Sequence, residues 1–245
     1  MVGRDLYIFL GAPGSGKGSL ALHSVRDFGW YHLSTGNLCR YHITAKTAQG
    51  MEMDQAIKSG KLVSDDLITG MVLEWLSQDI GVNPLILDGF PRTIAQAQAL
   101  YAYRKDHSLK QGVVVYFDID DATVIDRIGA RCICSNKNCQ AAYSCRADSA
   151  CKPKRPMMCD LCDSALVRRV DDTKEAIQER LAVYKKHADQ LLSFYREHTV
   201  PIVVLDARKA PADVYQDFKK MVHCRKLPPE KRSIYENKPL RSPDV

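Results

Sequence analysis

The stretch Gly11-Ala12-Pro13-Gly14-Ser15-Gly16-Lys17-Gly18-Ser19 stands between an apolar run, Leu6 to Leu10, and a segment with helical character. Residue types at this spacing suit polyphosphate. Glycines let successive backbone amides turn inward, the following helix points its positive end at the same place, and a lysine adds a mobile charge. The hydroxyl that usually comes directly after such a lysine is displaced here to Ser19 by Gly18. A glycine-rich turn with a chance lysine explains less of the flanking pattern. A second polar group, Asp88-Gly89-Phe90-Pro91-Arg92-Thr93, closes the run Pro84 to Leu87 and precedes Gln96. The third group is sulfur. Of nine cysteines, Cys132, Cys134, Cys139, Cys145, Cys151, Cys159 and Cys162 crowd one region, leaving Cys39 and Cys224 apart. Such clustering favours a metal over disulfides.

The elements that must position these groups follow from apolar runs that do not alternate. Leu6 to Leu10, Pro84 to Leu87, Val113 to Phe117 and Pro201 to Leu205, with a weaker run at Trp30 to Leu33, read as parallel strands covered on both faces. Helical patterns are expected at Ser19 to Phe28, Leu67 to Gln78, Ile94 to Lys105, Ala122 to Ala130, Thr173 to His198 and Ala212 to His223. The alternation implies an α/β fold, a three-layer α/β/α sandwich around a central parallel sheet of about five strands. Residues 34–63 and 131–170 interrupt that rhythm and read as insertions at the edge where ligands bind such sheets. The core is then 1–33, 64–130 and 171–223, and the proline-bearing residues 224–245 read as an extended tail.

At 245 residues the chain can bury one good-sized core. Net charge is +6, but residues 223–245 alone carry six Lys/Arg against three Asp/Glu. The rest is too weakly basic for a nucleic-acid surface, and small anionic ligands account for the excess. No apolar run reaches membrane-spanning length and none suggests a leader, so a cytoplasmic monomer without membrane or nucleic-acid partners is expected, an organelle being the alternative.

Taken in order, Gly11 to Ser19, Leu33 to Arg40, Gly60-Lys61-Leu62-Val63 and Leu87 to Thr93 resemble the nucleoside monophosphate kinases of the P-loop NTPase type, most closely the adenylate kinases, over residues 5 to about 215. The resemblance implies reversible transfer of the terminal phosphoryl group of ATP to AMP, giving two ADP. On the donor side it implies Gly14, Ser15, Gly16, Lys17, Gly18, Ser19, Arg127, Arg131 and Lys209; on the acceptor side Thr35, Arg40, Val63, Gly89, Arg92, Gln96, Arg169 and Arg180. Lys17, Arg92, Arg131, Arg169 and Arg180 would meet the transferring group. Residues 34–63 become the AMP-binding insertion and 131–170 a lid. Magnesium would touch Ser19, and Asp88 through water; a strand-end carboxylate capping the turn at Gly89 is the other reading of Asp88. Asp171 and Asp172 match an acidic pair beyond the lid, or begin the next helix.

Cysteine-rich lids of this family hold zinc on two short cysteine pairs, which implies Cys134 with Cys139 and Cys159 with Cys162 as structural ligands, four thiolates leaving no open position for chemistry. The first pair departs from the usual gap of two residues by having four between. A register using Cys132, Cys145 or Cys151, and a metal-free lid of reduced thiols, stay open. Asn37 stands where many of these enzymes have Asp. Phosphoryl transfer needs positioning and cations more than an acid or base, which guanidinium forks supply, so His23, His32, His42 and His187 are left as surface or core residues. The alternatives are a UMP/CMP kinase, a GTP:AMP phosphotransferase, and a nucleotide-regulated zinc ribbon that binds nucleic acid. Thr35 and Gln96 argue against the first.

Overall fold

An unbroken apolar run has no face to leave in water, and Leu6–Gly11 forms strand β1 with Leu6 to Leu10 all buried. The computed structural model describes residues 4–58, 63–78, 81–107, 109–110, 112–136, 139, 141–149, 151–169 and 172–225. Helix α1 (Lys17–Phe28) starts within the glycine-rich stretch, and β2 (Tyr31–Ser34) runs directly into α2 (Thr35–Ala45). There follow α3 (Ala48–Lys58), α4 (Asp65–Leu76), β3 (Leu85–Asp88), α5 (Ile94–Asp106) and β4 (Val113–Asp118). Helix α6 (Asp121–Gly129) leads to three short strands, β5 (Arg131–Cys134), β6 (Ala142–Ser144) and β7 (Leu166–Val167). Helix α7 (Lys174–Glu197), strand β8 (Ile202–Asp206) and helix α8 (Pro211–Arg225) complete the order.

Five strands form one sheet in the order β2-β3-β1-β4-β8. Leu6 and Tyr31 both lie opposite Leu85 in parallel register. This is the α/β class with a central parallel sheet that the apolar runs indicate. Side chains stop the backbone from fraying at three helix starts: Ser64 accepts from the Leu67 amide, Thr93 from Gln96 and Asp120 from Thr123.

The chain divides into two compact units, one of Met1–Leu10, Ser24–Val115 and Lys186–Ile202, the other of Gly11–His23, Tyr116–Lys185 and Val203–Val245. In the first, Leu85, Ile86 and Leu87 are wholly buried and Tyr7 stacks on Trp30 with ring centres 4.4 Å apart. Its residues 34–58, which carry no long apolar stripe, nevertheless fold as helices α2 and α3. Gly50 permits their approach, because a Cβ there would sit 2.0 Å from the His42 carbonyl oxygen. In the second unit Val124 and Ile128 of α6 pack with Ala12 and with Ile177 and Leu181 of α7. Residues 131–167 of that unit carry an antiparallel sheet in the order β6-β5-β7, over a separate buried cluster of Cys132, Cys134, Ala141, Cys159 and Leu166.

The structure changes two expectations. Cys224 and Arg225 end helix α8 and do not open an extended tail; the remainder of that tail, residues 226–245, lies outside the described residues, as do Gly60, Lys61, Leu62 and Asp171. Cys132 and Cys145 are joined as a disulfide, so metal is not the only fate of the clustered sulfur. Antiparallel register places Cys132 opposite Tyr143, two residues before Cys145, and the two Cα atoms stand 6.1 Å apart, within bridging reach. Among the described residues no helix is long and apolar enough to cross a membrane.

Candidate active site

The glycine-rich stretch folds as a tight cradle. The Ser15 amide donates to the Ala12 carbonyl at 3.2 Å, and Leu20 to Gly16 at 3.0 Å as α1 begins. Gly14 has φ of 79°, and a Cβ on it would come within 2.6 Å of Ile128 Cγ1. Only glycine fits there. Lys17 Nζ donates to the Gly11 and Ala12 carbonyls at 2.8 and 2.7 Å and lies 3.1 Å from Ser15 Oγ. Its ammonium is thus drawn over the cradle by acceptors that phosphate oxygens could replace. Ser15 is buried, while Gly18 and Ser19 are half-buried in the first turn of α1.

The same unit holds the remaining donor-side residues. Arg127 Nη1 donates to the Ala207 carbonyl at 2.7 Å and Nη2 lies 3.4 and 3.3 Å from those of Arg208 and Lys209, so its guanidinium lies along residues 207–209. Lys209 Nζ pairs with Asp217 at 2.7 Å. Arg131 grips Asp172 with both Nε and Nη2, at 2.8 and 2.5 Å, and Arg180 Nη1 reaches the same carboxylate at 3.5 Å. The Asp172 side chain is only 5% exposed. Arg131 and Arg180 are therefore brought together by one buried carboxylate, and Arg169 presents a buried Nε in the same unit.

Of the acceptor-side residues, Arg169 and Arg180 lie in the second unit, and Thr35, Arg40, Val63, Gly89, Arg92 and Gln96 in the first. Thr35 opens α2, and its buried Oγ1 has no hydrogen-bond partner among the described residues. A buried hydroxyl left so is where a ligand group would complete the bonding. Arg40 Nη2 donates to Asn37 Oδ1. Arg92 Nε donates to the Gly89 carbonyl at 2.9 Å. Burial pushes the Cys39 thiol up, while Arg92 and Arg40, both close enough to bear on it, pull it down. Val63 is half-buried just before α4.

One residue of this region, Asp65, escaped the sequence reading, and two named there, His32 here and Asp172 in the second unit, have partners it did not foresee. Asp65 accepts from Thr93 Oγ1 at 2.6 Å and from Gln96 Nε2 at 2.8 Å, while Gln96 Oε1 accepts from the Arg92 amide at 2.8 Å. An ionised carboxylate only accepts and an amide N–H only donates, so the orientation of the buried Gln96 amide is fixed from both ends. In the sequence, Asp65 passes for an ordinary acidic residue in the first turn of a helix after the Ser64 cap. His32 Nε2 stands 3.4 Å from Asp88 Oδ2 across the register that pairs His32 with Ile86 and Ser34 with Asp88. Asp172, named in the sequence only as half of an acidic pair, proves to be the carboxylate that Arg131 and Arg180 share.

The four cysteines paired from the sequence meet. Cys134 Sγ lies 3.4 Å from Cys162 Sγ and Cys139 Sγ 3.6 Å from Cys159 Sγ, with all four within 4.8 Å. Zinc–sulfur bonds of about 2.3 Å put tetrahedral thiolates about 3.8 Å apart, so this donor set could hold zinc. The Leu161 amide points at Cys159 Sγ at 3.4 Å, and Tyr143 Oη lies 3.5 Å from the same sulfur while accepting from the Asp160 amide. Burial pushes the Cys134 thiol up to about 12, whereas the Ser164 hydroxyl and amide bring Cys162 down to about 6. Burial also opposes ionisation of Cys159, but hydrogen bonds from Tyr143 and two amides outweigh it and its pKa falls.

Fold and cradle together define a P-loop nucleotide-binding α/β protein. Comparison with known proteins makes this specific. The family model described as adenylate kinase matches residues 9–200. The adenylate kinase of Treponema denticola is 42% identical over 212 residues, which is 86% of this chain and 96% of that protein. Those of Clostridium tetani and Rhizobium rhizogenes are 36% and 40% identical over 211 and 189 residues, covering 86% and 77% of this chain and 95% and 85% of theirs. The chain belongs to the adenylate kinase family, and is thereby a nucleoside monophosphate kinase.

Proposed function

We propose that the chain moves the terminal phosphoryl group of ATP to AMP reversibly, giving two ADP. The observation that carries the reading is the cradle: Lys17 Nζ held by three acceptors at the N-terminus of α1, beside a glycine that admits no side chain. In this reading Gly14 to Ser19 hold the donor's phosphates, Arg127 and Lys209 lie toward its base, and Arg131 reaches phosphate. Thr35, Val63 and Gln96 read the acceptor's adenine, and Arg40, Gly89 and Arg92, with Arg169 and Arg180, serve its phosphate. The orphaned Thr35 hydroxyl and the Gln96 amide, whose orientation Asp65 fixes, support adenine as the acceptor base.

The charge of the transfer state lies on peripheral phosphate oxygens, so fixed cations stabilise it without proton transfer. Arg131 and Arg180 already share Asp172, which holds two mutually repelling guanidinium groups side by side; phosphate would compete with that carboxylate for them. Ser19 and, through water, Asp88 would hold magnesium brought with the donor, which would neutralise charge on the phosphate oxygens. Residues 34–63 act as the AMP-binding insertion and residues 131–170 as the lid, closing over AMP and ATP respectively to exclude water that would intercept the phosphoryl group. Zinc on Cys134, Cys139, Cys159 and Cys162 would stiffen the lid, and the sulfur spacing supports that set over registers using Cys132 or Cys145. We place the protein in the cytoplasm as a monomer.

Coupled assays over ATP and GTP as donors and AMP, UMP and CMP as acceptors, with and without magnesium, test the reading. ATP with AMP in magnesium should give the highest kcat/KM. Higher turnover with UMP or CMP, or with GTP, would replace it.

A further inference from the structure

Neither sulfur of the disulfide between Cys132 and Cys145 belongs to the four-cysteine cluster. The position of that bridge is informative. Strands β5 and β6 form a hairpin in which Arg131 lies opposite Ser144 and Cys132 opposite Tyr143. The cluster fastens the turn end of this hairpin through Cys134 and Cys139. The disulfide fastens the other end, where the chain arrives from α6, and the Cys145 amide donates to the Ala130 carbonyl at 2.7 Å. Arg131, the residue between Ala130 and Cys132, is the one whose guanidinium grips Asp172. Beside Cys145, Arg146 pairs with Asp126 of α6 and with Asp148.

The two residues differ in exposure. Cys132 is wholly buried whereas Cys145 is exposed. The carbonyl of Cys151, a further free thiol, accepts from the Ser144 amide at 3.0 Å, which sets a third cysteine alongside. In the cytoplasm proposed above, disulfides are commonly transient and redox-sensing, and a bridge with one half at an exposed residue is the labile kind.

We propose that Cys132–Cys145 is a reversible thiol–disulfide exchange site for small thiols, and that its oxidised form holds Arg131 in place for the donor's phosphate. The second clause rests on the donor-side role proposed for Arg131. In the reducing direction a small thiolate attacks Cys145 Sγ, the bond to Cys132 Sγ breaks, and Cys132 leaves with the electron pair and takes a proton. A second small thiol attacks the mixed disulfide at the small-molecule sulfur, freeing Cys145 as a thiol and releasing a small disulfide. The protein gains two electrons and two protons, and two small thiols lose them. Oxidation by a small disulfide is the reverse. None of these steps uses a zinc-type ligand, so the cluster keeps the turn end closed while the Arg131 end opens.

The test uses the zinc-loaded full chain equilibrated in reduced or in oxidised glutathione, then alkylated and mapped by mass spectrometry, with zinc content and KM for ATP measured on both samples. Cys132 and Cys145 should be alkylated only after reduction, with zinc content unchanged, and KM for ATP should rise about five- to tenfold on reduction as Arg131 loses its fixed position. Cys145→Ser, at an exposed position, should show the reduced KM in both buffers. The proposal is overturned if both cysteines are alkylated equally in the two buffers, or if KM for ATP is the same in both while the map shows the disulfide forming. Absence of ATP:AMP transfer in both states would instead remove the functional reading, and the alkylation map would still decide for or against the exchange site.

Discussion

Replacing Asp65 by alanine isolates a contact that no motif discloses. Its two oxygens take hydrogen bonds from Thr93 and from Gln96 at 2.6 and 2.8 Å, and Gln96 is only 4% exposed. Hydrogen bonds to a charged partner are worth about 1.5–3 kcal/mol each, and a buried amide donor left without a partner costs about 1–3 kcal/mol. Asp65 itself is half-buried and recovers some hydration when its bonds are lost, so the net destabilisation should be roughly 3 kcal/mol. For a chain of 150–250 residues each kcal/mol lowers Tm by about 2–4 °C, which gives a fall of roughly 6–12 °C. Function should change in a selective way. With its Nε2 anchor gone the Gln96 amide can turn, so KM for AMP should rise about tenfold while KM for ATP stays near wild type. Asp65→Asn keeps one acceptor and should be destabilised by about half as much as Asp65→Ala. Thermal unfolding followed by circular dichroism, with steady-state kinetics varying each nucleotide separately, reads both effects. An Asp65→Ala protein with Tm within about 2 °C of wild type and an unchanged KM for AMP would refute the reasoning.

Further outcomes are expected at other sites. Gly14→Ala forces a side chain into φ of 79° against Ile128, and should reduce kcat/KM for ATP by about a hundredfold or more, checked by initial rates at varied ATP. Elemental analysis of the purified protein should find zinc at one ion per chain, and finding none would end the metal assignment. Stripping the ion with a chelator should lower the unfolding midpoint and raise KM for ATP more than KM for AMP, because the cluster belongs to residues 131–167. Arg180→Ala should lower kcat by at least about a hundredfold, read from initial rates at saturating ATP and AMP.

The strands were legible because unbroken apolar runs mark buried parallel strands: the run at Leu6 to Leu10 becomes Leu6–Gly11, and Val113 to Phe117 becomes Val113–Asp118. Helices α2 and α3 were not, since residues 34–58 contain small and polar side chains whose helical packing depends on Gly50 meeting the His42 carbonyl. The cradle and the four-cysteine cluster could be read because their chemistry depends on spacing along the chain. Asp65 and the Arg131–Asp172–Arg180 group could not, because they depend on which helix start meets which guanidinium or amide in space. Cysteine spacing likewise allows many pairings, and only antiparallel register selects Cys132 with Cys145.

The most direct measurement of the central claim is ADP formation from ATP and AMP by wild type and by Arg92→Ala, whose exposed guanidinium bonds to the Gly89 carbonyl and carries little of the fold. The expected result is magnesium-dependent transfer in wild type and a loss of at least about a thousandfold in kcat/KM for AMP in the variant, with Tm unchanged. Transfer to AMP surviving within a few-fold in Arg92→Ala would contradict a phosphate-gripping role for the fixed cations.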